Sequence, residues 1–324
     1  MRRLLLTLVP AAVLALSLYL VELPLWVESP GGARSVLPLI TIDGAPTYDS
    51  DGRMLLTTVN VGRVNVYYAL RAWLDPAARL LSEREVLPPG QTDRQYQQLS
   101  LSQMDQSKIA AVAVALERAT DYPAEHGPGV IVQDTLAGTP AAGRLFPGDL
   151  ITRIDGAPLD GVAELRRAIE ETGAAGEIEM TVRPLEGGPH RTVTVRPVLD
   201  EEEDRPVIGV FTVDAFPFDV RIESGTIGGP SAGLMWALGV TDLLTPDDLT
   251  VDRDVAGTGT VDLDGNVGPI GGIALKLQVA ERAHAETFLV PQANLAEARQ
   301  VETDIQLVPV NTVEQAIRFL EDAA

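Results

Sequence analysis

Residues 225–239, GTIGGPSAGLMWALG, constrain this chain more than any other stretch. They are tight and polar as far as Ser231, then turn abruptly apolar and helical. Leu234 and Leu238 lie four apart with Ala237 beside them, so one face of the helix packs inward. Ser231 then stands at the helix N-terminus, where unpaired N–H groups and the positive end of the dipole favour an anion. That environment suits an oxyanion hole. Gly228, Gly229, Ala232 and Gly233 would let a substrate backbone come close. The competing reading is a serine N-cap in a glycine-rich turn.

A serine hydroxyl is a poor nucleophile until a base takes its proton. The chain has no cysteine, which removes thiol catalysis, disulfides and thiolate metal sites. Of its three histidines, His126 and His190 fall in exposed-looking Gly/Pro contexts, and His284 lies further along. Lysine offers a sharper candidate. Of 25 basic residues, 23 are arginine and two are lysine, Lys108 and Lys276. Arginine keeps its proton, whereas a desolvated lysine can act as a base. Lys108 begins an apolar helical run and reads as a surface residue. At 100° per residue, Lys276 is flanked by Ile273, Val279, Ala280 and Ala283, while Gln278, Glu281 and Arg282 fall opposite. Burial on that face favours the neutral amine; snorkelling out of it is the alternative.

The 324 residues leave room for two or three domains, and the net charge of −21 argues against nucleic acid or an anionic lipid surface as partner. Arg2 and Arg3 precede residues 4–21, eighteen residues without a charge. As a helix they would reach roughly 27 Å, close to a bilayer core. No convincing signal-peptidase site follows, since Val27-Glu28-Ser29 runs into Pro30. Residues 1–23 are therefore expected to be a retained transmembrane anchor in a bacterial cell membrane, with the N-terminus cytoplasmic and the rest extracytoplasmic. Residues 24–35, with Pro24, Pro30, Gly31 and Gly32, read as a stalk. The rest of 24–120 reads as strands at 37–42 and 55–61 and helices at 67–74 and 95–118, without a chemical constellation.

Residues 121–199 change texture. "LFPGDLITRIDG" joins a tight turn to an alternating strand, and further alternation at Ile178, Met180 and Val182 surrounds one helix at 162–169. This β-rich unit resembles a PDZ domain. The resemblance implies that the turn Gly127–Gly129 and the strand of Val130, Ile131 and Val132 take an extended peptide by strand addition. A PDZ fold used only for docking is the alternative.

After the acidic run DEEED, a last domain at 205–324 is expected to open with a strand at 207–213. "GGPSAGL" and "TGTVDLDGNVGPIGGIALK" resemble the two signature stretches of the Lon protease catalytic domain. The resemblance implies Ser231 as nucleophile and Lys276 as base, with Thr258 in support and Gly229, Pro230 and Ala232 shaping the turn. Two positions depart from the family: Gly229 stands where many members have an acid, and Thr260 where a glutamate is usual. No G-x-x-x-x-G-K-[ST] loop occurs in these 324 residues, so activity is expected to need no ATP.

The order of anchor, PDZ unit and Lon-type domain is similar to the membrane-anchored, ATP-independent Lon-like proteases of bacteria. It implies a multidomain α+β chain with a transmembrane helix, a β-rich PDZ-like domain and an α/β proteolytic domain. It also implies peptide or unfolded-protein substrates, a homo-oligomeric ring and no cofactor. Asp262, Asp264 and Asn266 invite a calcium reading, but the twelfth position is Ile273 rather than a glutamate, so no metal is expected. Two rivals stand. One is an α/β-hydrolase-like esterase using His284 with Asp252 or Asp254; the other is an inactive, membrane-tethered PDZ adaptor.

Overall fold

The structure, a computed structural model, describes residues 18–200 and 204–322. Its main sheet runs in the order β18 (Gln306–Val310), β17 (Thr287–Pro291), β14 (Asp254–Gly257), β3 (Arg53–Asn65), β1 (Glu22–Ser35) and β4 (Arg79–Ser82). The first four are mutually parallel, and β1 runs antiparallel to both of its neighbours. Side chains alternate across it. Met54, Leu56, Val255 and Leu289 enter one apolar cluster; Leu55, Ala256, Phe288 and Val290 enter another. A parallel sheet covered on both faces needs strands that are apolar throughout, and every residue of β17 is buried.

One face carries α2 (Asp93–Ala119), α4 (Gly233–Leu244) and α6 (Val313–Asp322); the other carries α5 (Ile273–Arg282). The sequence assigns α4 a single inward face, but Gly233 to Asp242 are all buried. The sheet covers one side of this helix and α2 and α6 cover the other. A helix apolar all round belongs in such a place.

Residues 24–35 are not a stalk. They form β1, which β3 and β4 flank. Its prolines fit because β4 reaches only Leu25 to Glu28, and the ladder to β3 shifts register between Glu22 and Trp26 and between Pro30 and Ala33. Proline costs nothing at a position where no ladder bond is made. The 24–120 region thus supplies three strands and a helix to the sheet that holds β14, β17 and β18, and is no domain of its own. The anchor expected at 1–23 falls largely on residues outside those described. Among the described residues no helix is long and apolar enough to cross a membrane.

A second sheet runs β12 (Val210–Ala215), β5 (Gly127–Thr135), β6 (Asp149–Ile154), β8 (Ile178–Pro184) and β9 (Arg191–Val195), with β7 (Ala157–Pro158) on β6. Its core joins Val130, Val132, Ile151 and Met180 to Leu165 of α3 (Val162–Thr172). The run expected at 207–213 to open the last domain instead supplies β12, so this sheet crosses the expected boundary at 205. Ile131 and Leu150 pack into the main cluster, joining the two bodies. Among the described residues there are also three two-stranded ribbons: β10 (Val198–Asp200) with β11 (Arg205–Val207), β13 (Asp219–Ile222) with β2 (Ile40–Asp43), and β15 (Thr260–Val261) with β16 (Val267–Gly268). After β3 comes α1 (Val66–Leu74), capped by Asn65 Oδ1, which accepts from Tyr68 N at 2.9 Å.

Candidate active site

The turn before α4 is pinned from α2. Gly229 N donates to Ser100 O at 2.7 Å, and Ser107 Oγ donates to Pro230 O at 3.0 Å. Gly229 has φ 82°, a left-handed conformation that glycine adopts without strain. From the other side, Gly259 N donates to Ser231 O at 2.9 Å and Leu234 N to Gly259 O at 3.1 Å. Ala232 is the N-cap residue of α4, and no side chain caps that helix. Ser231 Oγ is therefore not spent as a cap. Among the described residues no acceptor takes the amide hydrogens of Ser231 or Ala232.

Lys276 comes from the first turns of α5. That helix begins at Gly272, which has φ 69° and where a Cβ would lie 2.9 Å from Glu28 Oε1. The left-handed φ is what favours glycine there. Lys276 is 2% exposed, so it does not snorkel. Its Nζ lies 2.6 Å from Ser231 Oγ and 2.8 Å from Thr258 Oγ1. Thr258 Oγ1 donates its hydrogen to Ser231 O at 2.8 Å, so towards Lys276 it can only accept. One amine hydrogen is thereby aimed at Thr258, which leaves the nitrogen's remaining positions for Ser231.

Burial pushes the Lys276 ammonium down to about 8, against a partly opposing effect of the Glu28 carboxylate, which favours the charged form. An amine with that value is neutral in a useful fraction of molecules near neutral pH, and as a neutral amine it accepts the Ser231 proton.

The pair opens into a cleft of about 940 Å³, at the upper end of the range for ligand sites, with Glu28, Val61, Tyr96 and Ile270 among its walls. Glu28, Ser100 and Ser107 come from the region that reads in sequence as chemically silent. No local signal marks them, because β1 and α2 meet the serine turn only through the tertiary fold.

The other candidates lie elsewhere. His284 is exposed beyond the end of α5, eight residues from Lys276, or roughly 12 Å along a helix. Asp254 is ion-paired with Arg53, and no hydrogen bond links His284, Asp252 or Asp254 to Ser231 among the described residues. His126 Nδ1 lies 2.8 Å from its neighbour Gly127 O, and His190 is exposed. Lys108 is not a surface residue: its side chain is 14% exposed, with Asp105 at 3.3 Å and Glu186 at 3.7 Å. Asp262 accepts from the amides of Asp264 and Asn266 at the tip of the β15–β16 hairpin.

The expected peptide site on β5 has no vacant edge. Val130 and Ile131 pair with Ile151 and Leu150 on one side; Val132, Ile131 and Val130 pair with Thr212, Val213 and Asp214 on the other. Val130, Ile131, Val132, Gly127 and Gly129 are all buried. The strands that end this sheet are β12 and β9, and of the two β12 lies beside α3.

Comparisons with known proteins match two domain families. Residues 214–321 match the family described as the Lon protease (S16) C-terminal proteolytic domain, and residues 107–183 match the PDZ domain family. Lon protease 1 of Myxococcus xanthus is 31% identical over 167 residues, covering 45% of this chain and 20% of that protein. The Lon protease of Rickettsia bellii is 33% identical over 108 residues, covering 32% of this chain and 14% of that protein. Lon protease 1 of Herpetosiphon aurantiacus is 43% identical over 77 residues, 24% of this chain and 9% of that protein. The chain thus spans a fifth or less of the length of these relatives. Among solved structures, the PDZ domain of an SdrC-like protein from Listeria monocytogenes is 26% identical, covers 26% of this chain and 87% of that one, and gives a TM-score of 0.24. The two family matches, with the sheets described above, make this a multidomain α+β chain with PDZ-like and Lon protease domains, the latter indicating a serine-type peptidase.

Proposed function

We propose that the chain is an ATP-independent serine endopeptidase in which Ser231 and Lys276 form the catalytic pair. The observation that carries this reading is the 2.6 Å contact between a buried amine and a hydroxyl at the mouth of a helix. Ser231 Oγ attacks the scissile carbonyl carbon while its proton passes to Lys276 Nζ. The amides of Ser231 and Ala232 face the resulting oxyanion, where preorganised donors are worth most. The lysinium then protonates the leaving amine, and water repeats the sequence on the acyl-enzyme. Thr258 holds the amine through both halves. Gly229 and Pro230 shape the turn and supply no chemistry.

Extended, unfolded segments are the substrates this reading favours, because the sequence holds no phosphate loop to drive unfolding. Peptide docking moves to the outer edge of β12, the edge strand of the PDZ-type sheet that lies beside α3. The apolar run at 4–21 is read as a bilayer anchor that leaves the cleft on the extracytoplasmic side, and ring assembly belongs to the same proposal. The test is labelling of the detergent-solubilised full chain with a serine-reactive phosphonate, followed by mapping of the modified peptide. Modification of Ser231, lost in Lys276→Arg, is expected. Labelling elsewhere, or undiminished labelling of Lys276→Arg, overturns the pair. ATP-dependent cleavage of casein by the purified chain overturns nucleotide independence.

A further inference from the structure

We propose that the outer face of α1, together with residues 18–21, is a foot that rests in the interfacial layer of a lipid bilayer. The inference rests on the anchored reading of residues 4–21 and adds a second contact to it.

The helix is inside out for a soluble protein. It turns small residues inward: Ala69 and Ala72 are its buried positions, against β1, β3 and β4. It turns large apolar ones outward: Tyr67, Leu70, Trp73 and Leu74 are all exposed, Trp73 at 73%. Positions 67, 70 and 74 fall on one helical face, so these side chains form a contiguous apolar patch. Patches of this kind mark a partner.

The nature of the partner follows from what lies beside the patch. Asn65 Nδ2 donates to Tyr19 O at 2.7 Å, and the Tyr19 and Tyr68 rings are 6.3 Å apart. Tyr19, Leu20 and Val21 are exposed there too. The patch is therefore continuous with the last residues of the eighteen-residue uncharged run. A bilayer that holds that run brings its surface to this helix. Tyrosine and tryptophan are the side chains that favour such a layer, because one end of each ring is apolar and the other can stay wet. Residues 53–74 contain no Asp or Glu, although the chain has 46 acidic residues. No carboxylate of that segment has to be pressed against headgroups, and with a chain charge of −21 the attraction is apolar rather than electrostatic.

The test uses the chain's own tryptophans. Of the three, Trp26 and Trp236 are 5% and 0% exposed, so Trp73 alone can meet lipid. The full chain is reconstituted into phosphatidylcholine vesicles whose acyl chains carry bromine near the headgroup, and its emission is compared with that in unbrominated vesicles. The expected result is co-flotation with the vesicles and loss of most of the Trp73 emission. Trp73→Phe should abolish that loss while still co-floating. Co-flotation with no bromine quenching overturns the foot and leaves the anchor standing; failure to co-float overturns both. Because the chain lacks cysteine, Leu70→Cys gives a single thiol on the patch. Rapid disulfide dimerisation of that variant, without quenching in the parent, assigns the patch to a second copy instead and overturns the proposal.

Discussion

Lys108 and Lys276 are both drawn into the protein, yet Lys108 keeps carboxylates at 3.3 and 3.7 Å, whereas Lys276 touches two hydroxyls. A carboxylate neighbour rewards the ammonium form alone. A hydroxyl accepts from the ammonium and can donate to the amine, so it serves both states. Burial then decides, and it favours the amine at Lys276. On the proposed reading, what separates a structural lysine from a base is the partner's chemistry, not depth alone.

The largest test of that contrast is to keep both charges and change both geometries. Lys276→Arg is expected to lower casein cleavage by roughly 10²–10⁴-fold, the usual worth of a general base. Lys108→Arg and His284→Ala should stay within about twofold of the parent. Equal losses at 108 and 276 would erase the distinction. Circular dichroism checks that each variant folds.

A second test reads stability instead of activity. The Lys276 amine titrates at about 8 in the folded chain, against its ordinary 10.5 when unfolded. Between those values the unfolded chain binds more protons, so stability rises with pH across that window; below about 8 the full penalty of burying the ammonium applies. At about 1.4 kcal/mol per pKa unit, this is up to about 3 kcal/mol. Lys276→Met should therefore unfold at higher urea than the parent at pH 7, with the gap closing towards pH 10. A gap constant in pH would mean the amine is not desolvated.

Thr258→Val keeps the shape but removes both hydroxyl contacts. Losing a buried hydrogen-bond partner costs about 1–3 kcal/mol, so kcat should fall about tenfold or somewhat more, with KM little changed. A rise in KM alone would place Thr258 in substrate binding. The smallest effect belongs to Glu28→Gln. The carboxylate favours the charged lysine, so its removal should move the midpoint of the rising pH–activity curve to lower pH. A shift to higher pH contradicts the placement of Glu28 beside the pair.

The contact between Ser231 and Lys276, the proposed catalytic pair, was legible in sequence because each half is encoded locally. A Gly-Pro-Ser turn before an apolar helix sets Ser231, and helical periodicity sets Lys276 among apolar neighbours. The packing around α4 was half legible: the pattern showed an inner face but not that the second face is also covered. Three things were not legible. Pro24 and Pro30 disguise β1 as a linker, since nothing local says that β4 stops between them. The pairing of β12 with β5 joins residues some 80 apart, and either side of 205 offered a plausible apolar strand. Ser100 and Ser107 look like ordinary helix polar residues until the fold sets them under the serine turn.

The ladder between β3 and β14 pairs Arg53 with Asp254, and the chain between them contains the whole of the second sheet. During synthesis, β1 and β3 emerge first, and β3 has no parallel neighbour until β14 has left the ribosome. The inserted unit can close in the meantime from local contacts, while the sheet bearing the cleft depends on contacts of large sequence separation and forms last. Ser231 and Lys276 come together only after α5 has been made. On the proposed mechanism a nascent chain is thus unarmed until α5 has emerged, and a product truncated before β14 should be inert.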